Sequence, residues 1–476
     1  MMGLTQDCGA SLFGTDGIRE RVGEGFLAPH HVQQIATAAA AVLTVDSEDC
    51  EIDATGARDA GSSYLPPPGA RSILIARDTR SSGKLLFQLL SDAFVSAGFT
   101  VRDLGELPTP AVSLLAGRRS DVALGIVISA SHNPSEYNGI KFFSHSGEKA
   151  SDAFEAAVSK AFWIRREPPP AEPGTVVSAA LDGFEQYVRY LIDRVRYPER
   201  LRGKRIVLDT ANGATYRVAP AVFRKLGMRV STRGAEPNGE NINLDCGALY
   251  PQELARLAVE TESALGFSFD GDGDRMIPVG AAGTVFDGDH VLLLSALRLV
   301  RQGLLPAKAV VATTMSNLGL ERALQECGLE LVRTDVGDRH VYAEMLRGDH
   351  PIGGEQSGHT IYRSDARTGD GILSALWLLD SLVSDDLDLE AEASILVRLP
   401  QVILNVRVRE KLPFEQFPLV LEAVGRVEEA LSGCGRVVLR YSGTEPLARV
   451  MVEAPDPEET ERLATEICDA IRASMS

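Results

Sequence analysis

The chain has no pair of cysteines close enough to form a CxxC motif. Its six cysteines, Cys8, Cys50, Cys246, Cys327, Cys434 and Cys468, are scattered over 476 residues. A zinc site or redox pair is left without support, and the pattern fits reduced cytosolic thiols. Excess positive charge is also missing: Lys and Arg total 48 against 66 Asp and Glu, a net charge of −18. That field opposes broad binding to nucleic acid or an anionic membrane. It tolerates a small anionic substrate, because a few arginines in a cleft outweigh a distant acidic surface. Long apolar runs are absent too. The most apolar early stretch, residues 35–45, is too short to span a bilayer and reads as a buried helix. The chain does not open on a basic segment followed by an apolar core and a cleavage site, so a cytoplasmic location is expected.

What is present is ordinary for a globular protein, with 44% hydrophobic and 24% charged residues. The length calls for about three or four domains. Three successive regions alternate strand and helix. In the first, residues 72–76 form a strand, 85–97 a helix stopped by Gly98, and 100–104 and 125–128 further strands. In the second, strands at 205–208 and 228–231 flank a helix at 218–226. In the third, strands at 309–312 and 329–333 flank a helix at 318–326. Short apolar runs joined by helices of this length indicate βαβ units and largely parallel sheets. From about Leu399 the pattern changes to strands at 402–408, 436–439 and 447–453 with helices at 415–431 and 457–473. The expected fold is α/β: three related mixed α/β domains, residues 1–180, 181–284 and 285–398, and a C-terminal α+β domain, 399–476. No strict sequence repeat is visible. Four prolines in 167–174 suggest a linker or surface loop. Residues 46–69 read as a flexible insertion.

Four loops carry chemistry. The first, ISASHNP at 128–134, follows a buried strand, where ligands bind in α/β sheets. It offers Ser131 as a nucleophile or phosphoryl carrier, with Lys141 following in NGIK. The second, FDGDGDR at 269–275, sets Asp270, Asp272 and Asp274 at alternate positions, so their oxygens can converge on one hard cation. An EF-hand is excluded, because Arg275 stands where glycine is required and Ala281 where glutamate is. The third, GGEQSGH at 353–359, sets Glu355, Ser357 and His359 between glycines, suited to sugar hydroxyls and proton transfer. The fourth, RYSGTEP at 440–446, offers Arg440, Ser442, Gly443 and Thr444, with Arg449 beyond, as a phosphate cradle. It is not a Walker A loop, since GxxxxGK[ST] is absent. FGTDGIR at 13–19 adds Arg19, which could stabilise a phosphoserine. Each loop alone is also readable as a polar turn; together they call for phosphoryl transfer on a sugar phosphate.

These strings, with MSNLGL at 315–320, GDR at 337–339, TGDGI at 368–372 and RYSGTEPLARVM at 440–451, resemble the α-D-phosphohexomutase superfamily over nearly the whole chain. GGEQSGH points to its glucosamine-phosphate branch. The resemblance implies four domains in a heart-shaped arrangement around a central cleft. It implies an isomerase that interconverts glucosamine 6-phosphate and glucosamine 1-phosphate through a phosphoserine at Ser131 and a glucosamine 1,6-bisphosphate intermediate. The product would feed amino-sugar nucleotide and cell-wall precursor synthesis. One Mg²⁺ per active site would be held by Asp270, Asp272, Asp274 and the Ser131 phosphate. Lys141 and Arg19 match residues beside the phosphoserine, Lys141 as a general acid or base. Arg275 and His359 match residues near the sugar, Glu355 and Ser357 the sugar-hydroxyl contacts. Arg440, Ser442, Gly443, Thr444 and Arg449 match the grip on the non-reacting phosphate. Relatives suggest a homodimer. Ala448, Tyr441 and His340 depart from common family residues without removing a chemical group, which leaves the sugar preference less fixed than the mechanism.

Three rivals remain at this level. One is a mutase of glucose or mannose phosphate. Another is a metal-dependent phosphatase using Ser131, for which the separate phosphate cradle would be superfluous. The third is a sugar-phosphate sensor, which would be expected to have lost Ser131 or an aspartate. Ser131 itself is expected to be exposed on its turn.

Overall fold

The computed structural model describes residues 12–14, 16–44, 65–442 and 445–475. Gly443, Thr444, Cys8, Cys50 and positions 46–64 of the expected insertion lie outside the described residues. The first sheet contains β1 (Ile18–Arg21), β2 (Ser72–Arg77), β3 (Thr100–Glu106), β4 (Val122–Ile128), β5 (Tyr137–Ser144) and β6 (Val176–Ser178), in the order β1-β5-β4-β2-β3-β6. The second contains β7 (Arg205–Asp209), β8 (Arg229–Arg233), β9 (Leu265–Phe269) and β10 (Met276–Gly280), in the order β10-β9-β7-β8. The third contains β11 (Ala309–Thr313), β12 (Glu330–Thr334), β13 (Ile352–Gly354) and β14 (Thr360–Tyr362), in the order β12-β11-β13-β14. A C-terminal antiparallel sheet orders β15 (Gln401–Arg407), β17 (Leu447–Glu453) and β16 (Arg436–Tyr441).

The three α/β units share one device. In each, parallel strands end in an antiparallel hairpin: β4 with β5, β9 with β10, β13 with β14. The loop closing each hairpin is one of the chemical loops. ISASHNP joins β4 to β5, DGDGDR joins β9 to β10, and the GGEQSGH loop joins β13 to β14. Sheets expected to be largely parallel are therefore mixed, and the antiparallel turn is what presents the chemistry.

Local chemistry explains the helices that frame these loops. Helix Gly288–Arg301 starts on a capping box of Asp287 and His290, and helix Leu318–Glu326 on the Asn317 side chain. Helix Gly371–Ser384 starts on Asp370, whose carboxylate accepts from Leu373 N. One continuous apolar core runs from Leu74 in the first unit through Tyr187, Phe267 and Phe269 in the second to Leu376 and Leu396 in the third. The other face of the first sheet packs on the alanine-rich helix Pro29–Leu43. The C-terminal unit has its own core around Val450 and Ile467. It is tied to the third unit by Glu453, whose carboxylate is fully buried and accepts from Leu318 N and Arg436 Nε. Residues 167–174 carry no regular structure, as a proline-rich connection should. The described cysteines, Cys246, Cys327, Cys434 and Cys468, are free thiols. Among the described residues no helix is long and apolar enough to cross a membrane.

Candidate active site

Ser131 sits in the left-handed region at φ 52°. Three hydrogen bonds to its backbone hold it there. Its N–H donates to Ser129 Oγ at 2.9 Å, and Ser129 Oγ donates to Asp78 Oδ2 at 2.6 Å. Arg80 Nη2 and Asn243 Nδ2 both donate to the Ser131 carbonyl, at 3.0 and 2.9 Å. Arg80 is itself locked by Asp78 and by the carbonyls of Asn133 and Tyr137. A strained backbone persists only where its surroundings over-determine it, and here they do.

The serine is not exposed, contrary to expectation: 1% of its surface is accessible. The cause is the second unit, whose DGDGDR loop docks on it. Ser131 Oγ donates to Asp270 Oδ2 at 2.6 Å. The approach requires glycine at 271, because a Cβ there would lie 2.4 Å from the Ser131 carbonyl oxygen. Thr109 of the first unit clamps the same loop, donating its N–H to Asp272 O at 2.9 Å and its hydroxyl to Asp272 Oδ2 at 2.6 Å.

Asp270, Asp272 and Asp274 are all buried, and one oxygen from each lies within 4.8 Å of the others. Burial, then the charges of Asp274 and Asp272, push Asp270 well above the usual carboxylate range. Asp272 Oδ1 and Asp274 Oδ1 are buried and accept no hydrogen bond. Buried carboxylate oxygens facing one another without donors suit a hard divalent cation, so the residues present fit a metal such as magnesium.

Acidic and basic side chains alternate in a ring around this cluster, crossing all three α/β units. Lys141 Nζ lies 2.8 Å from Asp272, 3.0 Å from Asp16 and 3.7 Å from Asp274. Asp16 bonds Lys149, which lies 2.5 Å from Asp338. His359 Nε2 is 3.3 Å from Asp338 and its Nδ1 3.6 Å from Asp274. Burial disfavours the charge on Lys141, but Asp16 and Asp272 outweigh it and hold the ammonium above its ordinary range. His359 follows the same logic: burial pulls it down, and Asp274 and Asp338 raise it overall. Gly369 N–H donates to His359 Nε2 at 2.9 Å, and a side chain at 369 would collide with that ring.

The remaining expected residues fall into two places. Arg19 pairs with Asp16, beside Lys141. Arg275 lies 3.8 Å from Asp274 and bridges by its backbone to His359, so the metal-type loop and the sugar-type loop are laced together. Glu355 accepts from Gly337 N at 3.2 Å, and Ser357, exposed, sits 3.3 Å from it. Arg440, Ser442 and Arg449 form a separate cluster on the C-terminal sheet. Arg440 and Arg449 are directly opposed in register on β16 and β17, and Arg449 donates to Ser442 Oγ at 3.3 Å. Burial and the neighbouring Arg449 pull Arg440 down, as expected for two cations awaiting an anion. Asp16, Arg80, Thr109, Lys149, Asn243 and Asp338 were not singled out from sequence. Asp16 and Asp338 lie within quoted motifs; the others carry no local signal.

Comparison with known proteins identifies the family. Four family models match in chain order: the α/β/α domains I, II and III of phosphoglucomutase/phosphomannomutase at residues 54–167, 185–283 and 287–398, and the C-terminal domain at 403–470. A phosphoglucosamine mutase of Alkalilimnicola ehrlichii is 43% identical over 460 residues, covering 97% of each chain. One from Solibacter usitatus is 42% identical, covering 98% of this chain and 99% of its own. A phosphoglucomutase/phosphomannomutase family protein of Burkholderia thailandensis shares the fold, with a TM-score of 0.76 over 97% of each chain at 22% identity. The N-acetylphosphoglucosamine mutase of Aspergillus fumigatus, solved with GlcNAc-6P and magnesium, has a TM-score of 0.61 at 20% identity, covering 77% of this chain and 93% of its own. With identity above 40% along almost its full length and all four domain models in order, this chain belongs to the phosphoglucosamine mutase family of phosphohexomutases.

Proposed function

We propose that this chain is a cytoplasmic phosphoglucosamine mutase, interconverting glucosamine 6-phosphate and glucosamine 1-phosphate by way of a phosphoserine at Ser131. The observation that carries the reading is the Ser131 hydroxyl bonded to Asp270 inside a trio of buried carboxylates. Phosphoryl transfer needs positioning and charge neutralisation more than covalent chemistry from the protein. Asp270, Asp272, Asp274 and the phosphorylated Ser131 would hold Mg²⁺, which when bound neutralises charge on the transferring group.

The other residues then have defined tasks. Arg19 and Lys141 offset the remaining negative charge. Lys141, kept cationic by its carboxylates, suits the donor of a proton to the departing Ser131 oxygen. His359 and Arg275 stand by the sugar, and His359 takes part in proton transfer there. Glu355 and Ser357 bond the sugar's hydroxyls. Arg440, Ser442 and Arg449, with Gly443 and Thr444, grip the phosphate that is not reacting. The phosphate leaves Ser131 for the free hydroxyl, giving glucosamine 1,6-bisphosphate. That species turns over and returns its other phosphate to Ser131. A homodimer is part of the same reading, with a hexosamine phosphate as the substrate.

The test is relative kcat/KM on glucosamine, glucose and mannose phosphates, with inorganic phosphate measured in parallel. The amino sugar should win clearly, with phosphate release negligible. A clear preference for a hydroxy sugar would overturn the substrate, and net hydrolysis would overturn the mutase.

A further inference from the structure

Where the first, second and third α/β units meet, beside the TGDGI segment, lies a cavity of about 170 Å³. Arg118, Arg194 and Arg367 line it. The Tyr190 ring fixes two of them, its centroid 4.8 Å from the guanidinium carbon of Arg118 and 4.5 Å from that of Arg194. Arg194 is balanced by Asp365 at 2.7 Å, and Arg367 by Glu148 at 3.3 Å. Arg118 pairs with no carboxylate among the described residues. The remaining carboxyl of the lining, Asp370, is pushed up to about 7 by burial, so it opposes an incoming anion only weakly.

A second observation points into the same space. Thr368 lines the cavity, is 1% exposed, and its Oγ1 makes no hydrogen bond. A buried hydroxyl left unpaired costs about 1–3 kcal/mol, which an oxygen of a bound ligand would recover. We propose that this cavity is a second oxyanion site, taking inorganic phosphate or the phosphate group of a small monoester on Arg118, Arg194 and the Thr368 hydroxyl. It is distinct from the Arg440–Arg449 cluster, which lies on the C-terminal sheet. An occupant would also touch the chain that orients His359, since Thr368 precedes Gly369, whose N–H holds His359 Nε2.

The experiment titrates inorganic phosphate calorimetrically into the full chain carrying Arg440→Ala and Arg449→Ala, without divalent cation. One binding event should persist. Adding Arg118→Ala, at an exposed position, should weaken it by about tenfold or more. Thr368→Val, nearly isosteric, should weaken it as well. No binding in the double variant, or an affinity that Arg118→Ala leaves unchanged, would overturn the site. If Thr368→Val fails to fold, Arg118→Ala alone decides. Repeating the titration with glycerol 3-phosphate assigns the source: tighter binding names a monoester, equal or weaker binding free phosphate.

Discussion

Ser131 and Asp270 meet across 139 residues of sequence, hydroxyl to carboxylate at 2.6 Å, where the first α/β unit docks on the second. The serine also carries backbone strain, at φ 52°. Chemistry and strain can be separated by two substitutions. Ser131→Ala removes the hydroxyl and keeps the strain; Ser131→Gly removes both. Both variants should lose at least about a thousandfold in turnover. Ser131→Gly should be the more stable of the two by about 1 kcal/mol in denaturant unfolding. Near-normal turnover in either would remove the serine from the mechanism.

The aspartate trio repels itself when no cation is bound. Asp270→Asn should therefore melt higher than wild type in chelator at neutral pH. In wild type, Mg²⁺ at a hundredfold excess over its dissociation constant should add about 2.7 kcal/mol. Thermal melts with and without Mg²⁺ should show that increment shrink sharply in Asp270→Asn, with turnover lost. An undiminished increment would place the cation elsewhere.

Lys149 and Asp338 extend the site beyond the four motifs. Lys149, half-buried, bridges Asp16 and Asp338, so Lys149→Met removes one cation from each carboxylate. We expect a loss of about 1–3 kcal/mol in unfolding free energy and a fall in kcat larger than any change in KM. Adding Asp338→Asn should recover part of the stability, a coupling that a double-mutant cycle measures. Additive effects would mean the two side chains do not act as a pair.

Asp370 sets a pH dependence outside the metal cluster. Burial raises its carboxyl from 3.8 to about 7. The unfolded chain releases this proton near 3.8 and the folded chain near 7, so between those values the folded state binds more protons. Stability from this group is complete below about pH 4 and lost as pH rises through 7, by roughly 4 kcal/mol at most. Asp370→Asn keeps an N-cap and should flatten the fall in unfolding free energy between pH 4 and 7. An unchanged slope would exclude Asp370 as its source.

Much of this was legible in the sequence because it is local. Helix Leu318–Glu326 and strand Leu447–Glu453 fall on the expected residues. The helix expected at 415–431 starts at Pro418, because proline takes the first turn and residues 414–416 form a separate 3-10 turn. The antiparallel partners were not legible. β5 and β10 are buried almost throughout and lack an alternating face, and β13 and β14 have three residues each. The burial of Ser131 follows from domain docking, which no local pattern encodes. Arg80 and Lys149 act over 51 and 133 residues of separation, with no motif around them. The chemistry could be read because alternating aspartates and glycine-bounded loops are short; the supports that aim them are not.

A phosphoryl group in transit on Ser131 is open to direct chemical observation. The enzyme should be incubated with Mg²⁺ and glucosamine 1,6-bisphosphate labelled in phosphorus, then digested and mapped. One label is expected, on the peptide containing Ser131, discharged into bisphosphate by unlabelled glucosamine 6-phosphate. Label on another residue, or its release as inorganic phosphate with Ser131 unmodified, would contradict it.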